Sequence, residues 1–78
     1  MIKNKKLLKI FEINLKLSLI EIENLKKGKI DIKFNDHPRW DSLNHVKILS
    51  ELEKKFKIEI NEKNYQKFTS IKKIDKLI

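Results

Sequence analysis

The 78-residue sequence contains no cysteine, and it has one glycine, one proline and a single arginine, Arg39. Without cysteine it can form neither a disulfide framework nor a thiolate metal site, and it has no cysteine nucleophile. This absence is typical of cytoplasmic proteins, and we expect that location. A chain this short makes one domain, residues 1–78, and buries only about 60 to 65% of the surface exposed on unfolding. A deep enzyme cleft is therefore not expected.

Long uninterrupted apolar runs are also missing. The N-terminal segment MIKNKKLLKIFEINLKLSLI is basic at its start and rich in apolar residues, but Lys9, Glu12 and Lys16 interrupt it. No small-residue cleavage site follows, so we expect no signal peptide. No apolar segment approaches the roughly 20 residues that cross a bilayer, and stable membrane insertion is not expected either.

Positive charge is abundant, with a formal net charge of +8 at pH 7, as in many proteins that bind nucleic acid or anionic membranes. Nearly all of this charge is lysine, and the chain is rich in Ile and Asn but almost lacks Gly, Pro, Arg and Ala, a bias that AT-rich coding would produce. The lysines are spread among Glu and Asp, whereas a nucleic-acid reader concentrates them on one face with aromatic residues. We interpret the charge as a solvated basic surface and expect no nucleic-acid partner.

The N-terminal half is predicted to hold one helix and a long connection. Residues 3–17 have apolar side chains at spacings of three and four, as an amphipathic helix requires: Leu7, Leu8, Phe11 and Leu15. Next, Ser18 and Glu21 have capping-box spacing, and Gly28 indicates a short helical turn that ends after Lys27. The alternating Ile30, Ile32 and Phe34 lack a second convincing strand to pair with, so we expect an extended loop that pins them to the core. Pro38 excludes a continuous helix there.

Residues 41–56 have the strongest helical pattern. One sector, roughly 100° wide, holds the predicted core-facing side chains His45, Ile48, Leu49, Leu52 and Phe56. The other side holds Leu43, Val46, Lys47, Ser50 and Lys54, so two apolar residues near the helix start are predicted to face solvent as a docking patch. Two shorter helices are expected over residues 62–68 and 70–78, the second capped by Thr69 or Ser70.

The segment DSLNHVKILSELEKKFKIEI, residues 41–60, resembles the acyl carrier protein family. The similarity comprises Asp-Ser-Leu, an apolar residue three positions further on, an amphipathic helix with Leu-Glu and Phe near its end, and an Ile-x-Ile connection. The tail NEKNYQKFTSIKKIDKLI is similar to the family's short third helix and final helix. The resemblance implies an all-α, four-helix bundle of acyl-carrier type, with a long loop between helix 1 and helix 2 and a short third helix.

The resemblance also implies a function for Ser42. A phosphopantetheinyl transferase would move 4'-phosphopantetheine from coenzyme A onto the serine hydroxyl, and Asp41 would support this attachment. The arm would hold an acyl or similar acid intermediate as a thioester, filled by an acyl-loading ligase and used by an acyl transferase or synthase. The protein would then be a monomeric carrier and not an enzyme. The partner-binding residues would be Leu43, Val46, Lys47, Ser50 and Lys54. In the alternative interpretation, Asp41 and Ser42 only cap the helix.

Two departures from the family bear on the pathway. Carriers of primary fatty acid synthesis are strongly acidic, whereas the region of the predicted second helix, residues 41–57, has more basic than acidic residues: Lys47, Lys54, Lys55 and Lys57 against Asp41, Glu51 and Glu53. HPRWDSL also stands where those carriers have a Gly-containing turn. We therefore expect a carrier for a specialised biosynthetic pathway, such as secondary metabolism or surface-glycan modification.

The remaining distinctive residues receive structural interpretations. We expect His45 to be a packed residue bonded to a loop group, and Trp40 to close the core, with contact to the arm or its cargo as the alternative. His37 has no partner of suitable spacing and is assigned no chemistry. The sequence contains no Ser/His/Asp triad, HExxH motif, phosphate-binding Gly-rich loop or zinc-ligand cluster, so no metal site is predicted.

Two functions of other classes remain as alternatives. A small basic helical nucleic-acid-binding domain would bind with a steep salt dependence that Ser42→Ala would not change. A membrane-surface protein would use the first helix as an amphipathic anchor, although Glu12, Glu21 and Glu23 and the absence of a tryptophan on that helix oppose this.

Overall fold

The computed structural model describes residue 2 and residues 4–78. In this part of the chain there are four α-helices: α1 Lys5–Leu15, α2 Leu19–Lys26, α3 Ser42–Phe56 and α4 Ile71–Leu77. A 3-10 helix, Tyr65–Lys67, precedes α4. These described residues contain one isolated antiparallel bridge, between Lys33 and Ser70, and no named strand. The predicted all-α class is therefore confirmed. No helix found in these residues is both long and apolar enough to cross a membrane.

Helix α1 begins and ends within the predicted range of residues 3–17, in which Lys3 lies outside the described residues. Asn4 caps its start, because the side-chain oxygen accepts from the N–H groups of Lys6 at 3.0 Å and Leu7 at 3.1 Å. The helix ends at Leu15 because Lys16 adopts a left-handed conformation, with φ 51°.

Helix α2 has the predicted capping box. The Ser18 hydroxyl accepts from the Glu21 N–H at 3.2 Å, and the Glu21 carboxylate accepts from the Ser18 N–H at 2.9 Å. This bond to the Ser18 N–H is the main reason that the pKa of Glu21 is lowered. Gly28 follows with φ 75°, a left-handed conformation that suits glycine. The predicted short helical turn is therefore a helix of eight residues, Leu19–Lys26, in the structure.

The segment after α2 is extended and tied to the start of α4, as expected for a loop that pins side chains to the core. Ile32 is buried, its carbonyl accepts from the Ile71 N–H at 3.1 Å, and the Phe34 N–H donates to the Thr69 carbonyl at 2.8 Å. The Asp31 carboxylate accepts from the buried Ser70 hydroxyl at 2.5 Å.

Ser70 is the cap that the sequence offered as one of two candidates for α4. Its hydroxyl accepts from the Lys73 N–H at 3.2 Å, and Asp31 also accepts from the Lys72 N–H at 3.0 Å. Two oxygen-bearing side chains thus satisfy the first turn of a seven-residue helix.

The predicted helix over residues 62–68 is shorter in the structure, where only Tyr65–Lys67 is helical, as a 3-10 turn. Asparagine side chains take the backbone groups that a longer helix would need. Asn64 accepts from the Asn61 N–H at 2.8 Å, and Asn61 accepts from the Lys63 N–H at 2.9 Å. Such local bonds compete with helix formation.

The core lies where α1 and α3 pack together. The two helices are antiparallel, because Asn14 near the end of α1 contacts Asn44 near the start of α3, while Lys5 and Phe56 line a common depression at the other end. In the predicted stripe of α3, Ile48 and Leu52 are fully buried, whereas His45, Leu49 and Phe56 are half-buried. All four apolar residues predicted on α1 are buried.

Candidate functional site

Ser42 is the first residue of α3, and it is exposed. Asp41 precedes it in an extended conformation and caps the helix: its carboxylate accepts from the Asn44 N–H at 2.9 Å, and its carbonyl accepts from the His45 N–H at 2.8 Å. The structure therefore places the capping group on Asp41 and leaves the Ser42 hydroxyl at the surface.

Two backbone donors lie beside the Ser42 hydroxyl. Asp41 accepts from the N–H groups of Asn44 and His45. The two earlier N–H groups of the helix, those of Ser42 and Leu43, have no acceptor among the described residues. Unpaired N–H groups and the positive end of the helix dipole favour an anion at this position. A negatively charged group on the Ser42 oxygen would thus lie in a suitable electrostatic environment.

Asn44 fixes the start of α3 against its surroundings. Its side-chain amide donates to the Arg39 carbonyl at 2.6 Å and lies 3.4 Å from the Asn14 carbonyl at the end of α1. The sequence interpretation assigned no role to Asn44. The available signal was a short amide side chain in the first helical turn, where such residues bond nearby backbone.

The loop before Ser42 is held by His37, which corrects the expectation that this residue has no partner. His37 Nδ1 accepts from the Arg39 N–H at 3.1 Å, so a neutral imidazole carries its proton on Nε2. Nε2 lies 3.0 Å from a Glu21 carboxylate oxygen and can donate to it. His37 therefore joins the first turn of α2 to the loop that leads into α3.

Trp40 and His45 form the inner side of the site. The Trp40 side chain is fully buried, with its ring centroid 5.0 Å from that of Phe11, as expected for a residue that closes the core. Its indole N–H donates to His45 Nδ1 at 2.9 Å, and the imidazole stacks on Phe34 at 4.3 Å. Burial lowers the pKa of His45. The prediction that His45 is packed and bonded to a loop group is confirmed.

All five predicted partner-binding residues are exposed on one side of α3: Leu43, Val46, Lys47, Ser50 and Lys54. The apolar pair is well exposed, at 70% for Leu43 and 66% for Val46. The sequence interpretation missed other exposed apolar residues, of which Ile13 at 61%, Leu19 at 81% and Ile20 at 73% are the most exposed. For Ile13 a signal existed, because it lies off the apolar stripe of the first helix.

The described residues contain no group of three or more His, Cys, Asp or Glu side chains that could hold a metal ion. Ser42 and Asp41 form a capped helix start with an exposed hydroxyl and two N–H groups that have no acceptor among the described residues, next to an exposed apolar pair.

Compared with known proteins, the chain matches no family model, no curated protein and no solved structure.

Proposed function

We propose that this protein is an acyl carrier protein that bears 4'-phosphopantetheine on Ser42 and presents an acyl or similar acid intermediate to partner enzymes. The observation that carries the proposal is the position of Ser42, exposed at the first residue of a long amphipathic helix and preceded by a capping aspartate. The resemblance of residues 41–60 to the carrier family supports the same function. When bound, the arm supplies a terminal thiol that holds the cargo as a thioester.

The residues around Ser42 fit a phosphodiester. Attachment would make the serine oxygen the bridging atom to a phosphate of coenzyme A, with release of adenosine 3',5'-bisphosphate and transfer of the hydroxyl proton to a base of the transferase. The resulting negative charge would lie beside the free N–H groups of Ser42 and Leu43. The Asp41 carboxylate would keep the helix start in place through its bond to Asn44 while supporting the transferase and its metal.

The exposed side of α3 indicates a dedicated set of partners. Lys47 and Lys54 follow the apolar pair Leu43 and Val46 along the exposed side of α3, so a complementary enzyme surface would be apolar with acidic groups. Charges at the edge of such an interface govern the rate of encounter and the choice of partner more than the final affinity. A loading ligase and an acyl-using transferase or synthase of a specialised pathway are the partners that we propose.

The test is the intact mass of the protein after incubation with coenzyme A and a promiscuous phosphopantetheinyl transferase. We expect the mass of one phosphopantetheinyl group to be added. Ser42→Ala should abolish the addition, whereas Ser18→Ala, which changes an exposed serine outside the proposed partner-binding side of α3, should leave it intact. An unmodified wild type with several transferases, or modification at Ser18, Ser50 or Ser70, would refute the proposal.

A further inference from the structure

A groove of about 460 Å³ runs between α1 and α3, separate from the Ser42 site. Its α1 side is formed by Lys5, Lys6, Lys9, Ile10 and Ile13, and its α3 side by Glu51 and Lys55. We call this surface the basic groove. Ser42 and Lys55 are separated by about 20 Å along α3, given a rise of about 1.5 Å per residue. The groove therefore extends along the bundle away from the proposed attachment serine.

The charge of the basic groove is strongly positive. Four lysines line it, and Glu51 is the single acidic side chain among the lining residues. That carboxylate is already engaged, because it accepts from the Asn14 amide at 2.7 Å. Lys9 has a long 3.7 Å contact with Glu12, an exposed pair of small energetic value. Within the described residues, neither Lys6 nor Lys55 forms an ion pair.

The same groove has an apolar floor. Ile10 is buried beneath it, and Ile13 is 61% exposed, although α1 has a complete buried stripe without it. The aliphatic stems of lysine extend such an apolar surface while their ammonium groups remain at its edge. An apolar strip with three lysines on its α1 side and Lys55 on its α3 side fits a partner with an apolar stripe and carboxylates beside it.

The shape of the groove favours a helix as its occupant. Its two walls are antiparallel helices, and a third helix can place its ridges of side chains into the depression between them. Helix-in-groove recognition uses apolar residues spaced three and four apart, and charged flanks supply specificity. The exposed face of α3 that bears Lys47 and Lys54 lies beside Glu51 and Lys55 on the same helix, so one partner can cover both surfaces.

We propose that the basic groove binds an acidic amphipathic helix of a partner enzyme. The identity of that partner rests on the proposed carrier function, but the binding itself does not require the arm. Docking in the groove would hold the carrier through α1 and the end of α3. Ser42, which is about 14 Å from Glu51 and about 20 Å from Lys55 along α3, would then reach the reacting centre of the same enzyme.

The test uses the full-length Ser42→Ala protein, which cannot carry the arm, and a fluorescent synthetic helical peptide with leucines on one face and glutamates on the other. Fluorescence anisotropy should show saturable binding, and backbone NMR shifts should map to the groove residues of α1 and α3. The double variant Lys6→Glu/Lys55→Glu should weaken binding about tenfold, which corresponds to about 1.4 kcal/mol.

Two controls separate groove recognition from general charge attraction. Lys29→Glu/Lys63→Glu makes the same change of net charge at exposed lysines outside the groove and should weaken binding by less than about threefold. A peptide of identical composition with its leucines distributed around the helix should bind much less. Absence of binding, equal binding of both peptides, or equal effects of the two double variants would overturn the proposal. None of these results depends on whether Ser42 accepts the arm.

Discussion

The indole N–H of Trp40 donates to Nδ1 of His45 across 2.9 Å, so the imidazole must keep this nitrogen unprotonated. A neutral His45 with its proton on Nε2 satisfies the bond, whereas an imidazolium would direct an N–H group at the indole N–H. Burial acts in the same direction by lowering the pKa of His45. The fold around the start of α3 therefore depends on a neutral histidine.

Mild acid is expected to destabilise the protein through His45. Its pKa in the unfolded chain is near the ordinary 6.5, and the folded value is lower. Below about pH 6.5 the unfolded state therefore binds more protons, and the free energy of unfolding should fall as the pH drops towards the folded pKa, by at most about 1.4 kcal/mol per pH unit. Above about pH 7.5 this contribution should be constant. Urea unfolding between about pH 5 and pH 8 measures it.

His45→Asn is the control for that prediction. The asparagine oxygen can replace Nδ1 as acceptor for the Trp40 indole but does not titrate. The variant should lose stability because it lacks the ring that stacks on Phe34. Its stability should nevertheless depend less on pH than that of the wild type in this range. A wild-type pH dependence that persists unchanged in His45→Asn would assign the effect to another group.

Leu52→Ala is expected to lower the free energy of unfolding by roughly 2 to 4 kcal/mol, because Leu52 is fully buried in the core and the substitution leaves a cavity. Leu43→Ala is a matched control on the same helix, with a leucine that is 70% exposed, and should change stability by less than about 0.5 kcal/mol. Denaturant titrations of both variants measure the difference. Comparable losses would mean that the buried and exposed sides of α3 are wrongly placed.

Asp41 is expected to have separable roles in folding and in attachment. Asp41→Ala should cost about 0.5 to 2 kcal/mol, because the Asn44 N–H loses its cap acceptor. Asp41→Asn keeps an acceptor and should retain most of the stability. If the carboxylate supports the transferase and its metal, Asp41→Asn should still slow modification of Ser42. If a stable Asp41→Asn protein is modified at the normal rate, Asp41 acts only as a helix cap and has no role in attachment.

Charge on the exposed face of α3 is expected to select the loading enzyme. Lys47→Glu/Lys54→Glu should slow loading by the dedicated ligase about tenfold and improve loading by a ligase adapted to acidic carriers. The salt dependence of the two reactions should change in opposite directions. Loading rates across an ionic-strength series measure this. If both enzymes respond identically to the charge reversal, or neither responds, the specificity must depend on Leu43, Val46 or the loop before Trp40.

Helices α1 and α3 were predictable because their signals are local. The apolar spacing and the Asp41 cap predict α3 from neighbouring residues. The helix extends over Ser42–Phe56 in the structure, so it begins one residue later than the predicted range of residues 41–56. The bonds that position the site are long-range. Asn14 and Asn44 are 30 residues apart, and Glu21 and His37 are 16 apart. No periodic pattern indicates such pairs, because each depends on how the finished elements pack.

The ends of α1 and α3 show how this composition costs stability. Lys16 and Lys57 are both left-handed, with φ values of 51° and 52°, whereas the single glycine of the chain, Gly28, lies elsewhere, after α2. A left-handed lysine carries about 1 to 2 kcal/mol of steric strain, which glycine would remove. Glycine would also lower the free energy of unfolding by about 0.4 to 1 kcal/mol, because it gives the unfolded chain more conformational freedom. Lys16→Gly and Lys57→Gly should each leave a small net gain. Both positions are exposed, and glycine there is thus available to raise the melting temperature of the variants described above.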